Sequence, residues 1–211
     1  MLELIGILAL LIAIMLTFLV VYRIYTRANE REKMYFKSCK EKDEKEIDFP
    51  LDENNMIYES NLNYTENKFL EEFNYDTKKV IDKTYEVFRE LLIEREHEDI
   101  KDIKNNLSED LFKKYNKQLF DNLKDNKKRV FKDIKCYKGI VEAFYNQNAE
   151  VTLYLSYVDY MIDINTKEII RGTKEEKLHI VRLKSVVSID SFILVKKQKI
   201  FEIDLNSIYN K

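Results

Sequence analysis

Tyrosine and aspartate residues with the potential for acid–base chemistry cluster within seven positions in the C-terminal half of the chain, at Tyr157, Asp159, Tyr160 and Asp163. Successive side chains of a strand point to opposite faces, so Tyr157, Asp159 and Asp163 are predicted to share one face and Tyr160 to lie on the other. A buried carboxylic acid and a phenol can together stabilise a developing oxyanion. The three residues on one face are therefore a candidate pocket, with ordinary packing in a sheet as the alternative.

A basic segment from Lys113 to Lys138 contains ten lysine or arginine residues and three aspartates, which gives it a charge of +7 in a chain of net charge −2. Such a segment could bind anionic lipid, at roughly 1 kcal/mol per well-placed cation. It could equally dock on an acidic protein surface. A solvated surface is the alternative, because the charges need not share one face. The residues predicted for such contacts are Lys124, Lys127, Lys128, Arg129, Lys132 and Lys135.

Several other chemistries are excluded by composition. The three glycines lie in three different segments, which excludes a phosphate-binding loop and a dinucleotide-binding fingerprint. Cys39 and Cys136 are 97 positions apart, so they cannot form a Cys-x-x-Cys zinc site, and we expect reduced thiols. We interpret His97 as a surface residue and His179 as a half-buried packing residue. No metal, cofactor or catalytic activity is expected, and the absence of a recognition helix or aromatic RNA-binding motif argues against nucleic acid.

The elements that position these residues begin, in the sequence, with an uncharged run of 19 residues from Leu4 to Tyr22. As a helix rising about 1.5 Å per residue, this run matches the hydrocarbon thickness of a bilayer. No basic residue precedes it and several follow, which predicts an uncleaved transmembrane anchor with the rest of the chain in the cytoplasm. The expected location is the cell membrane, as a single-pass protein. A cleaved signal peptide is the alternative.

Three parts are predicted along the chain: a transmembrane anchor and juxtamembrane helix over 1–36, an acidic flexible linker over 37–64, and a folded domain over 65–211. The linker prediction depends on residues 41–53, which have a net charge of −5 and no apolar period. Helices are predicted from Thr65, after an N-cap at Asp76 and after an N-cap at Ser108.

From Val130 onward, β-branched and aromatic runs separated by polar breaks predict four strands. Their expected ranges are 130–145, 149–164, 168–187 and 191–204, and Gly172 is expected at a bulge. Helices followed by an antiparallel meander predict an α+β fold, in which the helices pack on one face of a curved four-stranded sheet behind the N-terminal transmembrane helix.

Residues Val158 to Gly172, VDYMIDINTKEIIRG, resemble the signature hairpin of the Tim forty-four-like family. The matched positions are Asp159, Tyr160, Asp163, Thr166 and Gly172. The segment Ser108 to Phe112, SEDLF, is similar to the start of that family's second helix, and the resemblance covers about residues 66 to 205. Lys167 stands where the family usually has the hairpin glycine. The resemblance implies a cone of curved sheet and helices, shared with nuclear transport factor two and ketosteroid isomerase, and membrane-associated interaction more than catalysis.

The function expected from these observations is a membrane-anchored, non-enzymatic interaction domain that positions a partner protein at the membrane, with protein transport as the expected setting. One alternative is an extracytoplasmic component of a secretion channel, similar to the assembly factor of type IV secretion systems. The other is an enzyme or small-molecule binder that uses the interior of the cone.

Overall fold

Helix caps define where the helices begin in the computed structural model, which describes residues 51–52, 55–189 and 191–205. The helices are α1 (Tyr64–Glu72), α2 (Thr77–Glu96) and α3 (Glu109–Lys124), with a short 3₁₀ turn at Lys104–Asn106 between the last two. Asn63, Asp76 and Ser108 each accept a hydrogen bond from a backbone N–H in the first turn of the helix that follows. The predicted caps Asp76 and Ser108 are confirmed.

Five strands form one sheet in the order β1-β2-β3-β4-β5. They are β1 (Ile57–Ser60), β2 (Lys127–Tyr145), β3 (Asn148–Asp163), β4 (Ile169–Val187) and β5 (Phe192–Asp204). Strands β2 to β5 form an antiparallel meander, whereas β1 pairs with β2 in the parallel direction. The four predicted strand ranges each agree with β2 to β5 to within three residues.

The main hydrophobic core lies between the helices and one face of this sheet, called here the helix-covered face. Helix α2 supplies Ile81, Phe88 and Leu91, which are 0% exposed. They belong to the same core cluster as Val151 and Leu153 of β3. Strand β2 comes very close to α2 at Gly139, where an added Cβ would lie 2.2 Å from Cγ2 of Ile81. The helix-covered face is therefore closed over most of its length by tightly packed apolar side chains.

The predicted fold class was wrong in its sheet. The structure has a mixed five-stranded sheet rather than an antiparallel four-stranded one, because Ile57 to Ser60 pair with Lys138 to Val141 of β2 in parallel. Only four residues form β1, which gives no alternation long enough to predict a strand. The residues of β1 lie inside the range 37–64 that the sequence predicts as a linker. Residues 37–50 of that predicted linker lie outside the described residues.

The predicted fold class was also wrong in its N-terminal transmembrane helix. No helix in the part of the chain that the structure describes is long and apolar enough to cross a membrane. The longest described helix, α2, has 20 residues, but its buried apolar side chains alternate with exposed charged ones such as Arg89 and Glu90. The predicted span from Leu4 to Tyr22, like the whole predicted segment 1–36, lies outside the described residues. The membrane-anchored architecture is therefore not retained.

Candidate functional site

An ion pair between Arg129 of β2 and Asp159 of β3 lies on the helix-covered face. Arg129 Nε and Nη2 donate hydrogen bonds of 2.7 and 2.5 Å to the two carboxylate oxygens of Asp159. Asp159 is opposite Phe131 in the strand register, and Arg129 is two residues before Phe131, so pairing and pleat bring the two charges onto one face. Burial alone would raise the pKa of Asp159, but the hydrogen bonds and charge of Arg129 outweigh it and lower that pKa. Asp159 is therefore held as a carboxylate.

A second guanidinium, that of Arg95, is buried at the end of α2. Arg95 is only 6% exposed. Its guanidinium carbon lies 4.5 Å from the ring centroid of Tyr115 and 5.3 Å from that of Phe131. Its Nε has no hydrogen-bond partner, and no carboxylate of the described residues forms an ion pair with it. Burial lowers the pKa of Arg95, but an arginine keeps its charge, so this is a buried cation that lies against aromatic faces and is also stabilised by the charge of Asp159.

Lys197 of β5 reaches the same interior. Its ammonium nitrogen lies 4.4 Å from the ring centroid of Phe88, a residue of α2 that is 0% exposed. Lys197 forms no ion pair with any residue in the described ranges. Burial, and then the neighbouring charges of Arg95 and Arg129, lower the pKa of Lys197 to about 7. Arg95, Arg129 and Lys197 are called here the cationic cluster.

Two aromatic rings stack beside this cluster. The rings of Tyr157 and His179 are parallel within 10°, with centroids 3.7 Å apart. His179 is 1% exposed, so the prediction of a half-buried residue understated its burial. Burial, and then the charge of Lys199, lower the pKa of His179 to about 3, whereas burial raises that of Tyr157. Both residues are therefore neutral over the physiological pH range.

A cavity of about 180 Å³ opens beside the Arg129–Asp159 pair. Its other charged lining residues are Arg171 of β4 and Lys199 and Glu202 of β5. Lys199 and Glu202 form an ion pair with each other. Counting three cations against two carboxylates, the lining has a charge of +1, and the cationic cluster adds Arg95 and Lys197 nearby. The site therefore attracts anions.

Gly172 of β4 also lines the cavity, where its backbone conformation is one that other residues rarely adopt. Its φ angle is +81°, and an added Cβ would lie 2.5 Å from the carbonyl oxygen of Asp159. The strand register shifts between Val158 and Asp159 and again between Met161 and Ile162, whereas Gly172 itself is paired with Tyr160. The irregularities of the β3–β4 pairing therefore flank Gly172, and the predicted bulge does not lie at the glycine itself. This glycine allows β4 to approach β3 at the wall of the cavity.

The structure places the predicted pocket residues in two locations. Tyr157 and Asp159 lie on the helix-covered face, next to the cationic cluster. Asp163 lies at the end of β3, where its side chain accepts hydrogen bonds from the backbone N–H groups of Asn165 and Thr166 in the turn. Tyr160 packs with Val130 and Val158 on the opposite face, as the alternation predicts. Asp163 therefore stabilises a turn, whereas Asp159 lines the cavity.

The predicted basic surface is divided between two faces of β2. Arg129 lies on the helix-covered face, while Lys132 lies opposite Val158 on the other face. Lys124 is exposed at the end of α3. Lys127 forms an ion pair with Asp125, and Lys128 lies opposite Ile162. The ammonium of Lys135 lies 3.8 Å from the carboxylate of Glu176. The contact of this segment with a partner protein or anionic lipid stays a prediction.

Sequence reasoning missed most of the cationic groups at the site. Arg95 follows Thr84, Phe88 and Leu91 at helical spacing, so a charge on an otherwise apolar face was visible in the sequence. Lys197 was not visible, because β5 has an extra residue between Leu194 and Lys196 that reverses the alternation of its side chains. Arg171 and Lys199 occur among many lysines and arginines, and nothing in their spacing distinguishes them.

The chain matches no family model, and neither a curated protein nor a solved structure matches it. Membership of the Tim forty-four-like family therefore stays a prediction from the hairpin residues. The class that the fold and site define is an α+β domain with a cation-rich cavity at one end of its helix-covered sheet face.

Proposed function

We propose that this domain is a non-enzymatic binding domain whose cavity takes a small anionic molecule. The observation that supports the proposal is the cavity of about 180 Å³ beside the Arg129–Asp159 pair, with Arg171 and Lys199 among its lining residues. Pockets for drug-sized ligands have roughly 300–1,000 Å³, so a small ligand fits this volume better than a cofactor.

The arrangement of charges favours recognition of a carboxylate or phosphate group. Guanidinium groups match such groups because they present several N–H donors in one plane. Arg171 is exposed, and it lies opposite Met161 on the same face as Arg129, so it can turn toward a ligand in the cavity. Asp159 orients Arg129, and Glu202 binds Lys199, so these two cations of the lining are held in place before a ligand arrives.

Three titratable groups beside the cavity, those of Asp159, His179 and Tyr157, favour binding over catalysis. Lys197, whose pKa is lowered to about 7, does not line the cavity. A general base works best when its pKa lies near the operating pH. The pKa of Asp159 is lowered, that of His179 is lowered to about 3, and that of Tyr157 is raised, so none of the three is matched to proton transfer near neutral pH. Both carboxylate oxygens of Asp159 are also occupied by Arg129.

The proposal is tested by thermal unfolding of the full-length chain in acetate, succinate, inorganic phosphate and glycerol phosphate at constant ionic strength. A ligand that binds only the folded state raises the melting temperature as its concentration rises. We expect at least one of these anions to do so. Arg171→Ala should weaken the apparent affinity about tenfold, as expected for loss of one charge-assisted contact.

Lys174→Ala is the matched control, because Lys174 is an exposed cation on the same strand that does not line the cavity. It should respond to the anion as the wild type does. The proposal fails if none of the four anions shifts the melting temperature of the wild type, or if Lys174→Ala loses as much affinity as Arg171→Ala.

A further inference from the structure

One of the three cations that line the cavity is not neutralised by a carboxylate. Arg129 is bound by Asp159, and Lys199 by Glu202. The side chain of Arg171 forms neither an ion pair nor a hydrogen bond with any residue that the structure describes. The lining therefore offers one open guanidinium to an incoming anion.

The charge of the lining favours a ligand with a single negative charge. Three cations against two carboxylates give +1, so one negative charge neutralises the lining. A second negative charge on the same ligand would come close to the carboxylates of Asp159 and Glu202, with no open cation in the lining to offset it. Dicarboxylates and phosphate dianions are therefore disfavoured relative to a single carboxylate.

Arg171 lies in a row with two other lining residues on the helix-covered face. Met161 of β3 is opposite Arg129 of β2 on one side and opposite Arg171 of β4 on the other. Side chains directly opposite one another on adjacent strands share a face, with Cβ atoms roughly 4.5–5.5 Å apart. The half-buried side chain of Met161 therefore lies between two guanidinium-bearing side chains, and all three line the cavity.

Arg129 keeps hydrogen-bond donors for a ligand although it is paired. Asp159 accepts hydrogen bonds from its Nε and Nη2, and a guanidinium has five N–H donors. No described residue accepts a hydrogen bond from Nη1, and the side chain of Arg129 is 36% exposed. Two guanidiniums can therefore donate to one carboxylate on either side of an apolar thioether.

We infer that the cavity binds a short-chain monocarboxylate, with its carboxylate between Arg171 and Arg129 and its alkyl chain against Met161. The inference rests on the proposed function, since it names the class of ligand for the same cavity. Methionine is flexible and polarisable, so it packs against alkyl chains of different lengths. The cavity of about 180 Å³ is smaller than a pocket for a drug-sized ligand, so the chain must be short.

The inference is tested by thermal unfolding of the full-length chain at increasing concentrations of acetate, propionate, butyrate, succinate and inorganic phosphate. The ionic strength is constant and the pH is about 7.5, where all the carboxylates are ionised. Each methylene added from acetate to butyrate should tighten binding about two- to fourfold, because it covers apolar surface. Succinate and phosphate should bind at least about fivefold more weakly than butyrate does.

Two positions are changed to test the two ends of the ligand separately. Arg171→Gln should weaken butyrate binding about tenfold. Lys174→Gln should leave butyrate binding unchanged, since Lys174 is an exposed cation that does not line the cavity.

Met161→Gln keeps an unbranched side chain but removes the apolar contact. Acetate should bind this variant within about threefold of the wild type, whereas the preference for butyrate over acetate should disappear. Met161→Leu should retain the preference. The ratio of two affinities is measured within one variant, so a change in the stability of that variant does not alter its meaning.

Three results would overturn the inference. The first is that succinate or phosphate binds the wild type as tightly as butyrate does. The second is that the wild type shows no preference for butyrate over acetate, and the third is that this preference survives in Met161→Gln. In each case, anion binding that depends on Arg171 leaves the proposed function standing, whereas failure of every anion to bind removes both.

Discussion

At the scale of single residues, the site is built from charged groups whose neighbours are aromatic rings. His179 illustrates the principle, because its ring stacks on Tyr157 and its Nε2 lies 3.3 Å from the carbonyl oxygen of the same residue. Its Nδ1 has no hydrogen-bond partner, although a carboxylate oxygen of Glu202 lies 3.7 Å from it. A proton added to this ring would be buried next to Lys199, which explains why the pKa of His179 is lowered to about 3.

This lowered pKa predicts an acid-sensitive fold. In the unfolded chain a histidine binds a proton near about pH 6.5. Between there and the folded pKa of about 3, the unfolded state binds more protons than the folded state. The free energy of unfolding should therefore fall as the pH falls through this window. His179→Phe keeps a ring against Tyr157 and removes the titrating group, so urea denaturation at a series of pH values should show a weaker dependence for this variant.

The matched control for the loss of a histidine is His97→Gln, since His97 is exposed at the end of α2. Acidic residues also titrate in this window, so the informative quantity is the difference between each variant and the wild type. Parallel stability curves for the wild type and His179→Phe would contradict the prediction.

The residues of the candidate site were only partly predictable from the sequence. Tyr157 and Asp159 were identified because strand alternation is regular where they lie. Arg129, the bidentate partner of Asp159, was predicted only as one of several cations in a basic segment. Its pairing with Asp159 could not be predicted, because that pairing depends on the strand register. Lys197 was missed because one extra residue in β5 reverses which side chains face the helices.

At the scale of secondary-structure elements, the packing of α2 on β2 depends on a glycine. Gly139 lies where an alanine Cβ would come within 2.2 Å of Cγ2 and 3.2 Å of Cγ1 of Ile81. Ile81 is 0% exposed and packed inside the core, so it has little room to move. We expect Gly139→Ala to destabilise the fold by about 1–3 kcal/mol, the usual cost of overpacking a core, as measured by urea denaturation.

A double variant tests whether this cost comes from the Ile81 contact. Ile81→Ala removes the obstructing methyl groups at its own cost in buried area. If the clash is the cause, Gly139→Ala together with Ile81→Ala should be less destabilising than the sum of the single changes. Additive effects would show that the close approach of β2 to α2 is not the reason for glycine.

The elements themselves were predictable where the local pattern was strong. The long strands β2 to β5 have many β-branched and aromatic residues, and their breaks at Asn146 and Asn165 are turn-forming. The short strand β1 was not predictable, because its pairing with β2 joins residues about 80 positions apart. A non-local, parallel pairing of four residues leaves no signature in the sequence near it.

At the scale of the whole molecule, the distribution of charge matters more than its sum. The chain has a net charge of −2, yet its helix-covered face concentrates Arg95, Arg129 and Lys197 around the carboxylate of Asp159. The exposed ion pairs elsewhere, such as Lys83 with Glu86, contribute little to stability because water screens them. The cationic cluster is therefore where the protonation state affects the fold as a whole.

The overall stability should consequently depend on pH above neutrality through Lys197. Burial lowers the folded pKa of Lys197 to about 7, and the charges of Arg95 and Arg129 act in the same direction. Lys199 adds a smaller effect of the same sign, whereas Asp159 opposes it. An unfolded lysine titrates near about pH 10.4, so between these values the unfolded state binds more protons and the free energy of unfolding rises with pH. Below about pH 9.5, where the tyrosines remain neutral, Lys197→Met should lack at least about 1 kcal/mol of this rise.

Denaturation of the full-length chain at a series of pH values measures this rise in the free energy of unfolding. Lys196→Met is the control, since Lys196 is the neighbouring lysine in the sequence and is exposed. A slope in Lys197→Met equal to that of the wild type would show that the ammonium of Lys197 reaches water in solution and does not belong to the cationic cluster.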